Sequence, residues 1–204
     1  MKNFDFSLFA FLIVGFVFFT IIGTLSHEFG HYAMGKMLGY DVYIDYQSTH
    51  FVSNQEVSKE DNFLFILGGP LLTMLTGTIG LMHVFINRKT FYFTRKLSFI
   101  QWIMIFLASF WLRQLFNFFT AVIRFIKKGS FSIRSDESKL DVYFGFENGT
   151  SSTITALLSI VLIAFLFFKF IPKLQRLPFL VAGLIGGILG YILWFKYLGP
   201  IILP

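Results

Sequence analysis

The chain has no cysteine among its 204 residues. That excludes disulfides, thiolate metal sites, iron–sulfur clusters and cysteine nucleophiles, and it says nothing about compartment. Charge is scarce as well. Asp, Glu, Lys and Arg make up 14% of the chain, against about 25% in a soluble domain. There is no internal repeat and no low-complexity linker, and the length suits a single domain spanning 1–204.

What is abundant is apolar. Hydrophobic residues reach 55%, and 30 of them are Phe, more than a core of this size hides from water. They fall in runs near 20 residues long, which match a hydrocarbon layer of about 30 Å. The expectation is an all-α, multi-pass integral membrane protein. A soluble enzyme and a nucleic-acid binder are excluded. The net charge of +6 comes from Lys and Arg at the ends of the apolar runs, where such residues anchor spans to headgroups.

Five spans are expected: residues 6–25 continuing helically to 38, then 63–86, 97–123, 153–171 and 179–198. The first is read as an anchor, because its apolar run is long and Gly23-Thr24-Leu25-Ser26 is a poor cleavage site. Two connections are short and basic, the second bracketed by Pro172 and Pro178. Two are long and lie on one side of the layer. The first long loop carries Asp41-Val42-Tyr43-Ile44-Asp45-Tyr46, whose alternation predicts a strand in a short β-like hairpin. Lys and Arg, from Lys2 at the front to Arg134 in the second long loop, divide evenly between the two sides, so the positive-inside rule assigns no orientation.

At the end of the first span the chain reads Ser26-His27-Glu28-Phe29-Gly30-His31. On a helix His27 and His31 are i and i+4 and share one face. Two imidazoles at that spacing can hold one Zn2+ ion, with Glu28 beside them as a general base on zinc-bound water. The bland alternative is a polar helix end that snorkels to headgroups. Ionisable residues continuous with an apolar span are costly, however, and usually functional. Zinc needs a third protein ligand. His50, Asp136 and Asp141 lie on the same side as the motif, whereas His83 falls at the far end of the second span. Arg113 and Asn117 are polar residues of the third span, candidates to hold an oxyanion or the substrate backbone. Packing, snorkelling or interhelical hydrogen bonding would explain them equally well.

These residues resemble a known family. The first span with Leu25-Ser26-His27-Glu28-Phe29-Gly30-His31-Tyr32-Ala33 is similar to the zinc-binding helix of the site-2 proteases, which are intramembrane zinc metalloproteases. Phe65-Ile66-Leu67-Gly68-Gly69-Pro70-Leu71 resembles the Gly-Pro element of that family's next span. Trp111-Leu112-Arg113-Gln114-Leu115-Phe116-Asn117 followed by Ser135-Asp136 looks like a compact, M50B-like branch. The Asp-Gly pair that many members carry at the third ligand is absent. The resemblance covers about residues 10–150 and leaves the last span uncovered. It implies one zinc per chain on His27, His31 and Asp136, and Glu28 as catalytic base. It further implies a membrane protein or peptide as substrate, a bacterial cell membrane as the location, and the motif side facing the cytosol. The chemistry itself leaves two rivals: an inactive membrane scaffold, and a transporter or ion pathway using the same His and Glu.

Overall fold

A computed structural model describes residues 5–92, 94–131 and 135–204. Lys2 and Arg134 of the charge balance lie outside them. Five helical segments are long and apolar enough to cross a membrane: Phe6–Met37, Lys59–Ile86, Phe99–Lys128, Thr150–Phe170 and Lys173–Ile202. The expected helical architecture, with a two-stranded hairpin after the first span, is present.

Helix α1 (Phe6–Met37) runs unbroken for 32 residues, about 48 Å at 1.5 Å per residue. It starts where the Asp5 carboxylate accepts the Leu8 N–H at 3.1 Å, and it contains no proline. This length exceeds a 30 Å apolar layer, so the last turns, which carry the His pair, continue beyond about 31 Å from Phe6. Strands β1 (Val42–Ile44) and β2 (Thr49–Phe51) pair antiparallel, with Tyr43 opposite His50 and Ile44 opposite Thr49. The strand is shorter than the alternation suggests, because Asp45 turns the chain by accepting the N–H groups of Gln47 and Ser48.

Helix α2 (Lys59–Ile86) is capped by Ser58 and carries Glu60 and Asp61 in its first turn. The short α3 (Arg88–Tyr92) occupies the first basic connection. The third span is not one continuous helix. It comprises α4 (Phe99–Ala108), opened by a Ser98–Gln101 capping box, a tight 3₁₀ turn at Ser109–Trp111, and α5 (Leu112–Lys128). At the turn the Ser109 hydroxyl donates back to the Ile105 carbonyl, and the Trp111 carbonyl accepts from Ser159. Gly129, at φ +70°, ends α5 in the left-handed conformation. Helix α6 (Asp136–Phe144) lies in the second long loop, before α7 (Thr150–Phe170).

Helix α8 (Lys173–Leu193) starts earlier than expected. Pro178 does not break it, and Pro172 serves as its cap. A π turn at Trp194–Leu198 leads into α9 (Gly199–Ile202).

Helix α1 is packed on two sides. A Cβ at Gly186 or Gly190 of α8 would sit 2.6 Å or 2.9 Å from an α1 carbonyl. On the α2 side, a Cβ at Gly30 would meet the Gly68 carbonyl at 2.4 Å, and one at Gly68 would meet the Gly30 carbonyl at 2.5 Å. The backbones therefore touch, as small residues permit. A buried cluster including Leu12, Phe16, Trp102, Phe106, Phe170 and Phe179 holds the opposite end together. Most other large apolar side chains face outward, as a lipid-facing surface would.

Candidate metal centre

His27 and His31 project from α1 toward α2, and Asp136 reaches them from the first position of α6. His27 Nε2 lies 2.9 Å from Asp136 Oδ2, His31 Nε2 lies 3.3 Å from the same oxygen, and the two Nε2 atoms are 3.2 Å apart. Both histidines are buried.

The other ring nitrogens determine what can occupy this triangle. His31 Nδ1 is 2.8 Å from the Phe65 backbone carbonyl, which can only accept, so Nδ1 carries the proton. The Thr73 hydroxyl donates to the Gly69 carbonyl, and its oxygen accepts from His27 Nδ1 at 3.1 Å. Both imidazoles therefore direct an Nε2 lone pair at each other and at a carboxylate oxygen. Three such atoms converging on one point are suited to a cation between them. In a tetrahedron with ligand bonds of about 2.0–2.1 Å, donor atoms are spaced about 3.3–3.4 Å apart. The observed triangle is close to one face of it. His27, His31 and Asp136 thus form a group that could hold a metal ion, and their chemistry fits one.

The neighbouring backbone is shaped around this group. A Cβ at Gly69 would lie 2.3 Å from His31 Nε2, so only glycine lets the ring stand there. The Gly68-Gly69 pair therefore does more than pack two helices. It gives Gly30 its backbone contact and His31 its space. Glu28, 8% exposed, is not a member of the triad. Its carboxylate Oε2 lies 3.2 Å from the Thr49 hydroxyl of β2, which also donates to the Glu28 backbone carbonyl at 2.8 Å. The hairpin thus lies against the candidate base.

The two alternative third ligands are elsewhere. His50 Nε2 is 2.9 Å from Asp45 and 3.0 Å from Ser48 within the hairpin. Asp141 is fully buried and accepts the backbone N–H groups of Gly149 and Ser151, both at 2.8 Å, so it caps the start of α7. His83 is on the surface, its Nδ1 2.9 Å from the Ile79 carbonyl.

A cavity of about 800 Å³ opens between α1, the α4–α5 segment and α8. Thr24, Thr73, Arg113 and Asn117 lie in its lining, as do Phe116 and Tyr191. Thr73 links it to the metal group through His27. Asn117 donates to Glu137 Oε1 at 2.9 Å, the interhelical bond that sequence allowed for it. Thr73, Thr49, Glu137 and the Phe65 carbonyl were not foreseeable as parts of this site. A threonine in an apolar helix ordinarily bonds its own i−4 carbonyl, as Thr76 and Thr78 do, so Thr73 has no distinguishing local signal. No known family's model matches the chain, no curated protein matches it, and no solved structure matches its fold.

Proposed function

We propose that the chain is an intramembrane zinc metalloprotease of the site-2 protease kind, hydrolysing peptide bonds of membrane-embedded or membrane-anchored proteins. One observation carries this reading. Two imidazole nitrogens and a carboxylate oxygen converge within 3.3 Å of one another, next to the buried Glu28, at the end of a helix long and apolar enough to cross a bilayer. Zinc would be held by His27, His31 and Asp136. When bound, it supplies Lewis acidity, which lowers the pKa of a water toward about 7 and polarises a carbonyl.

The remaining steps belong to the chain's own groups. Glu28 accepts a proton from the attacking water at a carboxylate oxygen and returns it to the leaving nitrogen. Thr49 orients that carboxylate through its hydroxyl. Phe65 and Thr73 fix each imidazole by its Nδ1–H, which keeps both Nε2 lone pairs available. The β1–β2 hairpin lies beside Glu28 and offers an edge to which an unwound substrate strand can add. The cavity receives the apolar part of the substrate.

The test is Glu28→Gln, assayed on a mixture of apolar peptides by mass spectrometry, with metal content measured in parallel. The variant is expected to keep its metal and to lose cleavage by 10²-fold or more. Cleavage at the wild-type rate in the variant, or none in metal-bearing wild type, would refute the proposal.

A further inference from the structure

Among the described residues, Arg113 is the one charged residue in the lining of the cavity. Among the described residues its guanidinium has no ion pair, and its Nε is buried without a hydrogen-bond partner. Glu28, Asp136 and Glu137 act on it electrostatically, but none lies within ion-pair distance. Each is committed elsewhere: Glu28 to Thr49, Asp136 to the metal group, Glu137 to Asn117. Arg113 is half-buried, and a guanidinium whose buried Nε has no acceptor is costly unless something entering the cavity supplies one.

The cavity indicates what that is. A guanidinium presents a planar fork whose geometric match is a carboxylate. A divalent cation at the triad together with Arg113 balances the three carboxylates, so a monoanion enters a site of no net charge. Away from Arg113 the walls are largely apolar, with Phe16, Phe19, Phe106, Phe110, Leu184 and Ile188, interrupted by hydroxyls such as Thr20 and Thr24. The complementary ligand is an apolar chain that ends in a carboxylate. Thr73 lines the cavity and bonds His27, so such a chain would place its carboxylate end near the metal group. Resting on the protease reading, the geometry points to Arg113 as the receptor for the free C-terminal carboxylate of an apolar peptide. It makes the substrate class apolar segments with a free C-terminus rather than closed internal loops.

The experiment compares two fluorescent apolar hexapeptides, identical but for a C-terminal carboxylate or amide, binding to zinc-loaded protein in detergent at low temperature. The free acid should bind at least tenfold more tightly than the amide. Arg113→Gln should abolish the difference, and Arg113→Lys, a point charge without the fork, should keep part of it. Equal affinities in wild type would overturn the inference without recourse to any variant, as would failure of both peptides to bind. An acid preference that survives Arg113→Gln would also overturn it. A long-chain fatty acid that displaces the peptide at lower concentration than the peptide itself binds would assign the cavity to lipid instead. Carboxylate-dependent binding without hydrolysis would leave this inference standing while the protease reading fails.

Discussion

Replacing Gly69 with alanine tests how the metal group is built. The new Cβ would lie 2.3 Å from His31 Nε2 and 2.7 Å from both flanking ring carbons. Ordinary carbon contacts lie near 3.5 Å or beyond, so the ring must retreat by about 1 Å. Rotation does not relieve the clash, since three ring atoms meet the methyl at once. Retreat also pulls Nδ1 from the Phe65 carbonyl, the bond that holds the lone pair in place. Metal sites tolerate ligand displacements of about 0.2 Å, and loss of a supporting hydrogen bond alone weakens binding about 10–100-fold. Affinity should therefore fall by about 100-fold or more, equivalent to about 2.7 kcal/mol. Overpacking should lower stability by about 1–3 kcal/mol without unfolding the protein. Affinity can be read by competition with a chromophoric chelator, and folding by near-ultraviolet circular dichroism. Gly187→Ala, which meets no atom within 4 Å, is the control and should bind metal as wild type does. Native affinity in Gly69→Ala would refute the reasoning.

Thr73→Val keeps the shape and removes the acceptor for His27 Nδ1. Metal affinity should drop about 10–100-fold, and Thr73→Ser should restore it; an unchanged Val variant would mean that the hydroxyl does not orient the ring. Asp141→Ala should leave metal stoichiometry unchanged while lowering stability by about 1–3 kcal/mol, because the buried Gly149 N–H and the half-buried Ser151 N–H lose their acceptor. Loss of metal from folded Asp141→Ala would show that this aspartate has a second role.

Much of this arrangement was legible in the chain itself. Apolar run length announced all five helical segments, and the i, i+4 pair placed both imidazoles on one face, because those signals are local. That Asp136 would join the two histidines was legible through the resemblance, not through spacing, since it lies 105 residues from His31. Chemistry alone left His50 and Asp141 open. What separated them was tertiary: His50 turns into its own hairpin toward Asp45, and Asp141 caps the helix that follows it. Helix ends were the least legible. Pro178 reads as a boundary, yet α8 begins at Lys173, because Pro172 starts the helix and Pro178 is accommodated within it. The break in the third span was hidden in a uniformly apolar run, where Ser109 is the one polar residue of the turn.

The last span, outside the family resemblance, acquires a role from its contacts. Tyr46, in the hairpin turn, donates its N–H to the Leu203 carbonyl, and its own carbonyl accepts from Trp194 Nε1, both at 2.9 Å. The π turn at Trp194–Leu198 thus lies where the C-terminal segment grips the hairpin that bears Thr49. The helix that lines one wall of the cavity also secures the strand beside Glu28.

The central claim is that His27, His31 and Asp136 form one metal site. The most direct measurement is metal per chain in detergent-purified protein, wild type beside Asp136→Ala, after reconstitution with zinc. The account predicts about one zinc per wild-type chain and loss of it from the variant. No zinc in wild type, or full retention in Asp136→Ala, would contradict it.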